Sequence, residues 1–215
     1  MFHALMVFWF NLVKDWGYLG VVVLMAMESS IFPVPSEVVI PPAAYWAAQG
    51  QMSFVGVIIA GTVGSYLGSA ITYWVAKRVG IPFIERFGRI FLLPPEKVGM
   101  AEGWVVRYGV SGIFFARLLP VVRHLISIPA GILKMDFLKF SVATIIGSFI
   151  WCSILTWFGQ EVIGHRPDLM DSPEALVKAL KEKLHVVVFA IICGAVAYAV
   201  MRYMKGRLSK KQALA

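Results

Sequence analysis

Uncharged apolar stretches divide the chain. The 39 residues from Val38 to Ala76 carry no charge, but Pro41, Pro42 and the polar run AAQGQMS separate a short arm from a full span that starts at Phe54. Phe140 to Gln160 is uncharged over 21 residues and Leu184 to Met201 over 18. A membrane-crossing helix needs about 20 mainly apolar residues, so transmembrane helices are predicted over 53–79, 137–160 and 184–204.

Two further regions, 16–48 and 108–133, are apolar yet broken. Each has a short apolar arm, a proline-containing middle with charged residues, and a second arm. This pattern predicts re-entrant helical hairpins, whose non-helical backbone is tolerated at membrane depth only where protein or a water-filled cavity satisfies it. Pro33, Pro35, Pro120, Pro129 and Gly131 are assigned to shaping the turns. The competing reading is a pair of kinked ordinary helices in each region.

The two halves resemble each other. MSFVGVIIAGTVGS from Met52 and MDFLKFSVATIIGS from Met135 share Met-x-Phe and, after nine intervening residues, Gly-Ser. A Pro-Ala step precedes each, at Pro42-Ala43 and Pro129-Ala130, and glycine-opened arms, GYLG from Gly17 and YGVSG from Tyr108, come before that. Weak internal symmetry of this kind is how transporter repeats show in sequence. If each hairpin returns to its own side while the following helix crosses, the two repeats are inverted.

Composition supports residence in a membrane: 59% of the 215 residues are hydrophobic and 15% charged, with a mean hydropathy of +0.77. The segment 1–15, rich in Phe, Trp and Leu but too short to span, is predicted to be an interfacial helix. A net charge of +8 could suggest nucleic acid, but the basic residues gather at the ends of apolar segments and no nucleic-acid partner is expected. Six of them lie between Lys77 and Arg107 and five between Arg202 and Lys211. The positive-inside rule makes both regions cytoplasmic. The segment 81–107 then reads as a cytoplasmic interfacial segment, 161–183 as an external loop and 205–215 as a cytoplasmic tail. The architecture expected is an all-α integral membrane protein of a single domain. It comprises an inverted repeat of hairpin plus transmembrane helix, a further C-terminal transmembrane helix, and interfacial amphipathic helices.

Four ionisable residues fall within the hairpins: Glu28 and Glu37 in the first, Arg117 and Arg123 in the second. A charge near the bilayer centre costs about 3 kcal/mol on insertion scales, so such residues usually face an interior and have a task. Arginine presents a rigid fork of donors suited to phosphate oxygens. Arg117 and Arg123 flank Pro120, and a turn there could bring both to one anion. A carboxylate in an apolar segment can take up and release a proton, because desolvation disfavours its charged form. Glu28 and Glu37 are therefore candidates for coupling to protons, and Arg117 and Arg123 for binding a lipid phosphate. A purely structural Glu–Arg network is the competing explanation.

His124 follows Arg123 and could share the anion or relay a proton; Ser36 and Tyr73 are further secondary candidates. Cys152 and Cys193 lie in apolar runs and read as packing residues. The four histidines are scattered, no P-loop, Gly-x-Ser-x-Gly or His-Glu-x-x-His pattern occurs, and no metal or cofactor is expected. The small residues Gly56, Gly61, Gly64, Ser65, Gly68 and Ser69 predict a close-packing face on the first span, one that would also permit a homo-oligomer.

The stretch FFARLLPVVRHLISIPAGILKMDFLKF, Phe114 to Phe140, resembles the signature F-x-R-F-x-P-x-x-R-x-x-x-x-x-x-A-G-x-x-x-M-x-x-x-x-F of the DedA family of bacterial membrane proteins, related to the VTT-domain (SNARE-associated) proteins. Leu118 replaces its second Phe. The segment FPVPSE after Glu28 is similar to the family's first acidic motif. Of the pattern G-D-x-x-x-Y-x-x-G-R-x-x-G, Gly68, Tyr73 and Gly80 match, whereas Ser69 stands for Asp and Ala76-Lys77 for Gly-Arg. The resemblance covers the chain from about Gly17 to the last span. It implies translocation of a phosphate-bearing lipid, undecaprenyl phosphate foremost, across the bacterial cytoplasmic membrane and dependent on the proton motive force. By motif position it puts the family's acids on Glu28 and Glu37 and its arginines on Arg117 and Arg123. A phospholipid translocase or scramblase is the alternative cargo reading. A lipid phosphatase of the common type would need a Pro-Ser-Gly-His segment that the chain lacks, so a transporter is expected over an enzyme. A non-transporting membrane-biogenesis scaffold is the third reading.

Overall fold

The computed structural model describes residues 2–30, 34–87, 95–119, 122–123 and 125–164. Pro33, Pro120, His124, the predicted helix 184–204 and the tail 205–215 lie outside them, as does nearly all of the loop 161–183. The chain divides into units Met1–Leu180 and Lys181–Ala215, and every described residue belongs to the first. The described elements are all helical: α1 Phe2–Trp16, α2 Tyr18–Glu28, α3 Ser36–Ala48, α4 Phe54–Phe87, α5 Pro95–Arg117, α6 Ser127–Ile132 and α7 Phe137–Gly164.

Among the described residues, two helices are long and apolar enough to cross a membrane: α4 over Phe54–Val79 and α7 over Phe137–Glu161. Both coincide with predicted spans. α4 continues past its span to Phe87, so its last turns occupy the start of the segment assigned to the cytoplasmic interface.

The short helices owe their boundaries to local chemistry. Gly17 separates α1 from α2 with φ 56°, ψ −130°, and Gly109 interrupts α5 with φ 53°, ψ −132°. A side chain rarely adopts this conformation, and glycine reaches it without a Cβ penalty. α2 ends where Ser29, Ser30 and the prolines beyond stop an apolar run; the Ser30 hydroxyl donates to the Met27 carbonyl at 2.6 Å. Pro35 directly precedes α3 in an extended conformation, as a residue with a fixed φ and no N–H can.

Pro41 and Pro42 do not end an arm: α3 runs through both and stops at Ala48. The two missing N–H groups leave carbonyls free near the helix start, while the flat proline flank lets α7 approach closely. A Cβ added at Gly159 would lie 2.7 Å from Pro41 Cα. The division from α4 falls in the turn after α3, within the polar run AAQGQMS. There Gln51 N–H donates to Trp46 O and Gly50 N–H to Ala47 O, with Gly50 at φ 77°. α6 closes with the same Schellman pattern: Met135 N–H donates to Ala130 O and Lys134 N–H to Gly131 O, with Lys134 at φ 50°.

Packing alternates between the two long helices. α2 lies on α4 and α5 on α7, whereas α3 crosses to α7 and α6 to α4. Glycines let the backbones meet. A Cβ at Gly68 would fall 2.1 Å from the Ala26 carbonyl oxygen of α2, and one at Gly131 2.4 Å from the Tyr73 carbonyl oxygen of α4. The close-packing role expected for the small residues of the first span therefore holds at Gly64 and Gly68. A core of Tyr73, Ile113, Ala116, Ile126, Ala130 and Phe140 joins α4, α5, α6 and α7.

The polarity of the long helices is reversed relative to a protein in water. Val55, Ile59, Val63, Leu67, Ile71 and Val75 of α4 are exposed, as are Leu138, Val142, Ile145, Ile146 and Phe149 of α7, whereas Ser65, Ser69, Thr72, Ser141, Thr144 and Ser148 are buried. An apolar exterior over a hydroxyl-lined interior suits hydrocarbon as the surrounding solvent.

Candidate functional site

Helix ends and interior hydroxyls converge on two buried guanidiniums. Arg117 is the last residue of α5, and Arg123 lies in the link to α6; each is 1% exposed. Arg123 Nη2 donates to Glu28 Oε2 at 3.0 Å and to Ser65 Oγ at 3.3 Å, and its Nη1 donates to Ser36 Oγ at 3.3 Å. One side chain thus ties the end of α2, the start of α3 and the middle of α4 to the α5–α6 link. Trp151 of α7 donates its indole N–H to the same Ser36 oxygen at 3.3 Å and holds its ring 5.4 Å from Arg123 Cζ, within cation–π range.

Arg117 braces that link. Its Nη1 donates to the Arg123 carbonyl at 2.8 Å and its Nη2 to Ser127 Oγ at 2.7 Å, while the Phe140 ring lies 6.0 Å from Cζ. Both arginines therefore spend their Nη groups on protein. Their Nε–H groups are buried without an acceptor.

The structure brings Glu28, Ser36, Arg117 and Arg123 together, the first and last as a buried ion pair 95 residues apart in sequence. Glu37 does not join it: it is half-buried in the first turn of α3, with no hydrogen bond or ion pair to another described residue. Tyr73 also stands apart. Its hydroxyl donates to the Met135 carbonyl and its ring stacks on Phe140 at 4.8 Å, so it anchors the turn after α6. Pro129 and Gly131 are buried in α6 against α4. Pro35 sets the start of α3, and so the position of Ser36.

Ser65, Ser127 and Trp151 were not singled out as site residues by the sequence. Ser65, read from the sequence as part of a close-packing face, also belongs to the Gly-Ser pair that repeats at Gly147-Ser148, a signal that could have marked it. Nothing local distinguishes Ser127 or Trp151 from ordinary residues of an apolar helix.

With one carboxylate against two guanidiniums the cluster carries net positive charge. A positive, donor-rich interior behind an apolar wall is chemically suited to an anion carried on a hydrophobic tail.

Residues 34–161 match the VTT domain family. The undecaprenyl phosphate transporter A of Bacillus subtilis is 37% identical over 70% of this chain and 74% of its own length. The protein of the same name from Staphylococcus aureus is 30% identical over 91% of this chain and 94% of its own. An alkaline phosphatase-like protein of Lactococcus lactis subsp. lactis is 36% identical over 69% and 72%. No solved structure matches the chain. The family match covers more than half of the residues and contains most of the buried cluster, with Glu28 just before it; the chain belongs to the VTT-domain (DedA) family of membrane proteins.

Proposed function

We propose that this protein translocates a lipid phosphate, of the polyprenyl phosphate class named for its Bacillus subtilis and Staphylococcus aureus relatives, across the bacterial cytoplasmic membrane. The observation that carries the reading is the buried Arg117–Arg123 pair, held at the meeting of helix ends inside an apolar shell. The phosphate engages the guanidiniums while the prenyl chain stays among the exposed apolar side chains of α4 and α7.

Glu28 supplies the coupling to protons. Ionised, it offsets the charge of Arg123; protonated, it leaves that charge to the anion. Lipid phosphate and proton are thus taken up together and released together. Glu37, in the first turn of α3 beside Ser36, tunes this exchange. Broken helices meeting at mid-depth are a setting in which transporters hold substrate and coupling ions.

The re-entrant, inverted arrangement is part of the proposal. It is supported by the matching backbone of Gly17 and Gly109, by the shared Schellman closures of α3 and α6, and by the crossed packing of the arms. With residues 77–107 and the C-terminus cytoplasmic, the first hairpin opens outward and the second inward.

Reconstitution into liposomes with a labelled prenyl phosphate tests the function. Wild-type protein is expected to move the lipid faster under an imposed pH gradient, and Glu28→Gln to move it with no response to the gradient. A gradient response surviving in Glu28→Gln would remove Glu28 from the coupling. The name of the Lactococcus lactis relative raises a phosphatase reading; release of inorganic phosphate from the lipid by purified protein is the result that would favour it.

A further inference from the structure

Helical serine and threonine hydroxyls usually return to the carbonyl four residues back when nothing else accepts them. In this protein Thr62, Ser69, Thr72, Ser153 and Thr156 all do so, at 2.6 to 2.9 Å. Thr144 and Ser148 do not. They are 0% and 1% exposed, and neither hydroxyl has a hydrogen-bond partner.

Their position is specific. Four residues apart, they share one face of α7, between Phe140, whose ring faces Arg117, and Trp151, whose ring faces Arg123. Gly147, beside Ser148, meets the end of α5: a Cβ there would lie 2.6 Å from Arg117 Cβ. The two hydroxyls therefore line the strip of α7 that runs past both guanidiniums. These guanidiniums also carry unmet donors, the Nε–H groups of Arg117 and Arg123.

Ser148 is the counterpart of Ser65 in the matched Gly-Ser pairs. Ser65 accepts a hydrogen bond from Arg123; Ser148 has no partner. A buried polar group without a partner costs about 1–3 kcal/mol. Two such hydroxyls on this strip of α7, with the two unmet Nε–H groups of the guanidiniums it passes, amount to a set of donors whose acceptor comes from a guest.

We propose that Thr144 and Ser148, with the Nε–H groups of Arg117 and Arg123, form a donor shelf that binds the terminal oxygens of a lipid phosphomonoester. The Nη groups keep their protein partners meanwhile. A monoester offers three terminal oxygens to these four donors. A phosphodiester, as in a phospholipid, offers two and brings a second ester arm that the close approach of α5 to Gly147 disfavours. The shelf is thus a specificity device. It rests on the lipid-phosphate reading above and adds which lipid class the site prefers and which residues choose.

The test measures equilibrium binding to full-length protein in detergent, and movement in proteoliposomes, using a fluorescent prenyl monophosphate and a labelled phosphatidylglycerol. The wild type is expected to favour the monoester. Thr144→Val/Ser148→Ala should raise the half-saturating monoester concentration by about tenfold, the effect of one or two lost hydrogen bonds to a charged group, while diester binding stays unchanged. Thr144→Ser, which keeps the hydroxyl, should retain wild-type binding, and Ser153→Ala, on the same helix with its hydroxyl tied back, should match wild type. An unchanged monoester-to-diester ratio in the double variant, with the thermal unfolding midpoint preserved, would overturn the shelf. So would a wild type that prefers the diester. Wild-type protein that binds the monoester without moving it would overturn translocation, and the binding ratio would still decide the shelf.

Discussion

Arg123 reaches Glu28, Ser36 and Ser65 with one guanidinium, and the energetic consequence is asymmetric. Breaking a buried ion pair by removing one partner typically costs about 3–5 kcal/mol, whereas replacing both partners by apolar groups is often neutral. Arg123→Met alone should therefore lower the thermal unfolding midpoint in detergent markedly, and Glu28→Leu/Arg123→Met should recover most of the loss while remaining inactive in lipid movement. A double variant as unstable as the single one would mean that the hydroxyl contacts, not the charge pair, hold Arg123. At this scale the cost of charge in an apolar segment marked Glu28, Arg117 and Arg123 as candidates, and the structure buries all three. The sequence could not say that Glu28 pairs with Arg123, because the partner lies 95 positions away and pairing is fixed by which helix ends meet. Ser65 and Ser127 stayed hidden because a hydroxyl in an apolar helix can satisfy itself locally and so leaves no trace in composition.

Gly68 controls how α2 delivers Glu28. Its α carbon lies against the Ala26 carbonyl, two residues before the carboxylate, so Gly68→Ala must push the end of α2 outward. Overpacking of this kind costs about 1–3 kcal/mol. The variant should lose stability and weaken the Glu28–Arg123 pair together, seen as a lower unfolding midpoint and slower lipid movement. Gly103→Ala, in α5 with nothing within 4 Å of the added methyl, should instead be neutral or stabilising by up to about 1 kcal/mol. Equal effects from the two would contradict the close contact. Of the elements, the long helices were legible because length and hydropathy alone define them. The end of α3 at Ala48 was legible in the polar run AAQGQMS, but the passage of the helix through Pro41 and Pro42 was not: Gly159 of α7 packs against Pro41, a contact that local sequence cannot reveal.

For the molecule as a whole, inverted hairpins make a claim about sides. Gln49, exposed at the end of α3, and Lys134, exposed at the end of α6, occupy corresponding turns and should face opposite compartments. In a background with Cys152 and Cys193 replaced by alanine, Gln49→Cys should react with a membrane-impermeant maleimide in intact cells, and Lys134→Cys only after permeabilisation. Labelling of both from one side would refute the inversion.

The crossing of α3 onto α7 and of α6 onto α4 has one more consequence. Each half lends an arm to the other, so the halves are interlocked like clasped hands. Separate polypeptides covering 1–90 and 91–215, produced in the same cell, should complement each other and co-purify, whereas either alone should be degraded. Stable accumulation of a lone half would show that the clasp is dispensable.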